Sequence, residues 1–149
     1  MLPLAQATSL GYHTMPRVAE RADERSVPAV LIIDDDRAIA ELLREVFLSA
    51  GYRAYAVHDG FTGYYLAQRL RPAIVLTDWL MPDFTGYDLM RELERSPATR
   101  RIPVILMSSQ RPESNVIRNL RFIPKPFDLD DVVSIVEACI RERATRDVH

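Results

Sequence analysis

Asp34, Asp35, Asp78, Ser108 and Lys125 each stand at the end of a short run of mostly apolar residues. Three carboxylates, a hydroxyl and an ammonium make a reactive set if the fold brings them together. Close carboxylates repel one another unless a pKa rises or a cation binds. Oxygen-only ligands select a hard metal, and Mg²⁺ accepts a few carboxylates together with water and phosphoryl oxygens. An aspartate can also act as a nucleophile and form an acyl phosphate. The lysine, the serine and the metal would then neutralise and hydrogen-bond the phosphoryl oxygens. Lys125 draws notice for another reason. The chain has nineteen basic residues, and every one except Lys125 is arginine. A compact ammonium differs from a planar guanidinium fork, so the exception points to a position that needs a point charge. Taken singly, each residue also has a plain structural reading. Asp34-Asp35-Asp36 suits a solvated turn, and Asp36 suits a helix cap.

The elements that must position these residues follow from hydrophobic patterning. Ala29-Val30-Leu31-Ile32-Ile33 is wholly apolar, as in a strand buried on both faces. Ile39, Leu42, Leu43, Val46, Phe47 and Ala50 recur at helical spacing, and Gly51 stops that helix. The pattern then predicts strands over 52–57, 73–77, 103–107 and 121–123. It predicts helices over 61–70 and 87–95 and a last helix capped by Asp128. The last helix has Val132, Val133, Ile135, Val136, Cys139 and Ile140 on its apolar face. Alternation of strand and helix implies an α/β fold, with a parallel sheet covered on both faces. In such sheets, sites form outside the carboxyl ends of the strands. By that rule the five residues converge on one edge of the sheet.

Composition narrows the class. The 149 residues fit one domain with short tails: a flexible segment at 1–27, a domain over 28–142 and a tail at 143–149. A net charge of −2, with arginines scattered and no basic stripe, argues against direct nucleic-acid binding by bulk electrostatics. No apolar stretch approaches the ~18 residues of a membrane span, and no secretory leader is visible. The lone Cys139 permits no disulfide within the chain, so a cytoplasmic location is expected. His13, His58 and His149 have no metal-ligand spacing.

Four blocks resemble a known family: Leu31-Ile32-Ile33-Asp34-Asp35-Asp36, Thr77-Asp78-Trp79-Leu80-Met81-Pro82-Asp83-Phe84-Thr85-Gly86, Pro103-Val104-Ile105-Leu106-Met107-Ser108 and Lys125-Pro126-Phe127. Together they resemble the receiver domain of bacterial two-component response regulators, in particular stand-alone, chemotaxis-regulator-like receivers. The similarity runs over about residues 30–140. The resemblance implies a flavodoxin-like, doubly wound, five-stranded parallel sheet of order 2-1-3-4-5. It implies that Asp78 is the phosphoacceptor and that Mg²⁺ is held by Asp34, Asp35, Asp78 and the backbone carbonyl of Leu80. Asp35 would bind directly and Asp34 largely through water. Ser108, its neighbour Ser109 and Lys125 would serve the phosphoryl group, and Phe122 would be the aromatic switch residue. The Lys125–Pro126 peptide would be cis. The donor would be a histidine kinase or a histidine phosphotransfer protein. The protein would not be an enzyme beyond its own phosphotransfer and dephosphorylation.

The chain also departs from that pattern. Residues 110–120 leave room for about two helical turns, and no glycine follows, so the fourth helix is expected to be short or irregular. This leaves homodimerisation and the usual output surface open. Ser109 stands where the family often has Ala or Gly, and Leu80 and Gln110 stand where access to the phosphoryl group is tuned. No effector domain is expected after residue 141, so the expected output is contact with a downstream protein. The competing expectation is a receiver-like binding module that recognises its partner independently of phosphorylation.

Overall fold

The computed structural model describes residues 26–110 and 121–148. Its elements run β1 Ala29–Ile33, α1 Arg37–Ser49, β2 Arg53–Val57, α2 Gly60–Leu70, β3 Ile74–Asp78, α3 Gly86–Glu94, β4 Val104–Ser108, β5 Arg121–Pro124 and α4 Leu129–Val148. The five strands are parallel, in the order β2-β1-β3-β4-β5. This is the doubly wound order implied by the sequence, and it reverses between β1 and β3.

The sheet is covered on both faces, and the apolar runs show why. Every residue of β1 and of β3 is buried. Val30 and Ile32 point into a core layer with Ala40, Leu43 and Phe47 of α1 and Val132, Val136 and Cys139 of α4. Leu31 and Ile33 point the other way, toward Leu66 and Ala67 of α2 and Leu89 and Leu93 of α3. This is the two-residue period of a strand serving two layers at once. Asp36 caps α1 as expected: its Oδ1 accepts from the N–H of Ala38 at 3.0 Å and of Ile39 at 3.2 Å. Gly51, at φ +95°, ends α1 in the left-handed conformation that glycine adopts without steric cost. Thr85 and Asp88 form a reciprocal capping box at the start of α3.

Two expectations change. Leu42, Ala50 and Ile135, placed on apolar faces by periodicity, are exposed. The apolar stripe on each helix is wider than the strip of sheet it covers, so residues at its margin remain in water. The last helix does not end near 142. It continues through 143–148, where a tail is predicted. Arg143 donates to the Ala73 carbonyl at 3.1 Å, and Arg121 pairs with Glu142, so this stretch is tied back to the sheet. Residues 1–25 of the expected segment at 1–27, and the shortened helix within 110–120 apart from Gln110, lie outside the described residues.

Candidate functional site

The site lies at the carboxyl ends of the strands, where the sheet order reverses. Asp34 follows β1 directly, and Asp78 is the last residue of β3. Both are pulled in by the strands that precede them: Asp34 is wholly buried, and Asp78 is 8% exposed. Asp35, one residue on in the turn to α1, is exposed. The three carboxylates bring oxygens within 4.8 Å of one another. Holding three carboxylates so close, two of them buried, is costly unless something compensates.

Part of the compensation is Lys125. Its Nζ donates to Asp34 Oδ2 at 2.7 Å and lies 3.6 Å from Asp78 Oδ1. The lysine therefore rests mainly on Asp34 and reaches Asp78 second. Burial disfavours its ammonium, but the Asp34 hydrogen bond and the charges of Asp34 and Asp78 more than offset this, and its pKa is raised. The other oxygen of Asp34, Oδ1, accepts from the Asp36 backbone N–H at 2.9 Å. One buried carboxylate thus fixes both the turn into α1 and the lysine arriving from β5. His58 completes the back of this turn, its Nδ1 donating to the Asp34 carbonyl at 3.2 Å.

Asp78 is less well compensated. Burial, then the charge of Asp34, push its carboxyl from 3.8 up to about 6; Lys125 opposes the rise, and Asp35 adds to it. A group of excess negative charge, with oxygen donors only, is suited to a hard divalent cation. The structure therefore fits Mg²⁺ on the chemistry of its donors and on the charge left unmatched by a single lysine.

Ser108 ends β4, one residue past Met107, which is the register partner of Asp78. It is buried, its Oγ accepts from the Gln110 N–H at 3.1 Å, and its own hydroxyl proton has no acceptor among the described residues. The Lys125 N–H donates to the Ser108 carbonyl at 2.8 Å, which ties the two strand ends together. The Lys125–Pro126 bond is cis. Leu80 lies two residues beyond Asp78 with its side chain 45% exposed. Ser109 is exposed, and Phe122 is half-buried on β5, three residues before Lys125.

Two further residues, Gly86 and Thr77, support the end of β3 and the loop that leaves Asp78. A Cβ on Gly86 would stand 2.4 Å from the Asp78 carbonyl oxygen, so only glycine lets α3 start against the end of β3. The Gly86 N–H donates to the Trp79 carbonyl at 2.9 Å, closing the loop that leaves Asp78. Thr77 donates its hydroxyl to the Asp78 carbonyl at 3.0 Å. The capping-box pattern from Thr85 to Asp88 was an available signal for where this loop ends.

The family model described as "response regulator receiver domain" matches residues 30–137. The master transcriptional regulator RpaA of Synechocystis, named as DNA-binding, is 31% identical over 120 residues, covering 77% of this chain and 50% of that protein. The phosphate regulon regulatory protein PhoB of Rhizobium meliloti is 27% identical over 120 residues, covering 77% and 53%. The chain thus spans about half the length of these curated relatives. Among solved structures, the signal receiver domain of a histidine kinase from Syntrophus aciditrophicus superposes with a TM-score of 0.70. It is 30% identical, and the match covers 78% of this chain and 92% of that one.

Proposed function

We propose that this chain, which belongs to the response regulator receiver domain family, is a phosphoacceptor switch that takes a phosphoryl group on Asp78. The observation that carries this reading is the pairing of a buried, poorly compensated Asp78 with Asp34, Asp35 and Lys125 at one strand edge. With a pKa of about 6, Asp78 is ionised at neutral pH and available as a nucleophile.

An Asp78 carboxylate oxygen attacks the phosphorus of a phosphohistidine on a histidine kinase or phosphotransfer protein. The new P–O bond forms as the P–N bond breaks, and the departing imidazole takes up a proton. Asp34, Asp35, Asp78 and the Leu80 carbonyl would hold Mg²⁺, which supplies charge neutralisation for the transferred group. Lys125 is 3.6 Å from the acceptor carboxylate before transfer, so it can move onto a phosphoryl oxygen without leaving the site. Ser108 has a hydroxyl proton to donate to another. The shift of Lys125 and Ser108 changes the ends of β4 and β5, and Phe122 on β5 can respond only by packing, having no hydroxyl. The chain itself is not an enzyme on this reading, and its output is contact with a downstream protein. Among the described residues, no helix is long and apolar enough to cross a membrane.

Trp79, the only tryptophan, adjoins Asp78 and reports on the site. Addition of Mg²⁺ and then beryllofluoride should change its fluorescence in two saturable steps. Absence of both responses, with no Mg²⁺ binding by calorimetry, rejects the proposal.

A further inference from the structure

The arginines that are scattered in the sequence gather in the fold. Arg100 and Arg101 precede β4, Arg121 opens β5, and Arg143 and Arg146 lie late in α4. All five line one cavity of about 540 Å³ at the amino ends of β4 and β5, the end of the sheet opposite Asp78. Among the described residues, only Glu142 and Asp147 supply negative charge to the lining, so five positive charges meet two negative ones there, a local +3. The chain as a whole carries −2. A charge run along one helix would be an ordinary solvated face. Here the guanidiniums come from three separate segments and surround a concavity, an arrangement that self-repulsion disfavours without an anion.

Two of the arginines are already positioned. Arg121 pairs with Glu142. Arg143 donates to the carbonyls of Ala73 at 3.1 Å and Pro72 at 3.4 Å, and lies 3.9 Å from Asp147. Arg100 and Arg101 are exposed, and their side chains make no hydrogen bond or ion pair with the described residues. Guanidinium forks match phosphate oxygens two at a time, and fixed donors lose little freedom on binding. The volume falls within the range of small-molecule sites, roughly 300–1,000 Å³. We propose that this cavity binds a small ligand carrying two or more phosphate groups. Such a ligand would sit at the far ends of the two strands that terminate at Ser108 and beside Lys125. The inference does not depend on phosphorylation of Asp78.

The test is titration calorimetry of the full chain with inorganic tripolyphosphate, free of divalent metal and at low ionic strength. Arg100→Ala/Arg101→Ala removes two exposed cavity arginines, and Arg44→Ala/Arg69→Ala removes the same charge from α1 and α2 as the matched control. Wild type should bind one tripolyphosphate, and more tightly than orthophosphate. The cavity double variant should bind at least about tenfold more weakly, as expected for loss of charged hydrogen bonds, and the control should match wild type. Arg146→Ala alone should also weaken binding. The proposal is overturned by any of three results: no binding, equal weakening in both double variants, or binding of a duplex DNA oligonucleotide without binding of tripolyphosphate.

Discussion

Replacing Asp78 by asparagine should stabilise the metal-free fold, by an amount that depends on pH in a defined direction. The Asp78 carboxyl is raised from 3.8 to about 6, chiefly by burial and then by Asp34. At about 1.4 kcal/mol per tenfold change in proton affinity, that rise corresponds to on the order of 3 kcal/mol. Below pH ~4 the carboxyl is protonated in both folded and unfolded chains, and no penalty applies. Between about pH 4 and 6 the folded protein keeps a proton that the unfolded chain has lost, so stability falls as pH rises. Above that window the folded protein carries the full cost of the buried carboxylate. The substituted amide carries no charge at any pH. Urea unfolding of wild type and Asp78→Asn, in chelator at pH about 4, 5, 6 and 7.5, reads the effect, because titrating groups that do not interact with Asp78 cancel in the difference. The variant's advantage should grow by about 3 kcal/mol from acid to neutral pH and then level off. Saturating Mg²⁺ should close the gap at neutral pH by stabilising wild type more than the variant. An advantage that is flat across pH, or that shrinks as pH rises, would refute the account of Asp78 as an undercompensated carboxylate.

Other perturbations probe the neighbours of that carboxylate. Lys125→Ala leaves the buried Asp34 without its cation and should cost about 3–5 kcal/mol in metal-free denaturation; a loss below about 1 kcal/mol would contradict the pairing. Lys125→Arg should retain the fold and Mg²⁺ affinity yet lose the Trp79 response to beryllofluoride, because a fork cannot replace a point charge between Asp34 and Asp78. An unchanged response would remove the case for an ammonium. Gly86→Ala forces a Cβ against the Asp78 carbonyl and should destabilise by roughly 1–3 kcal/mol; wild-type stability would show that α3 can shift freely. The exposed, apolar Leu80 cannot orient an attacking water, so phosphorylated protein should hydrolyse slowly, with a half-life of minutes or longer by intact mass. A half-life of seconds would contradict this.

Much of the fold was legible because its signals are local. β1 and β3 are apolar runs buried on both faces, and each of the five strands lies within two residues of its expected bounds. Asp36 advertised its capping role by its type and place. The edge on which Asp34, Asp78 and Lys125 meet was legible through the topology rule for parallel sheets, not through any contact in the sequence. What was not legible depends on distance across the sheet. Spacing could not reveal that Lys125 rests first on Asp34, 91 positions away. Nor could it reveal that Gly86 is needed because the Asp78 backbone passes beside it. The margins of helix faces failed for a similar reason: periodicity gives the direction of Leu42 and Ile135 but not the width of the surface they meet. The basic cavity was invisible because its arginines lie in three segments about twenty residues apart, joined only by strand order and by the continuation of α4 beyond residue 142.

The central claim, that Asp78 accepts a phosphoryl group, is tested most directly by incubating wild type and Asp78→Asn with acetyl phosphate and Mg²⁺ and measuring intact mass. Wild type should gain the mass of one phosphoryl group, labile to hydroxylamine as an acyl phosphate is, and the variant should gain none. Failure of folded, Mg²⁺-binding wild type to gain it, or equal labelling of Asp78→Asn, would contradict the account.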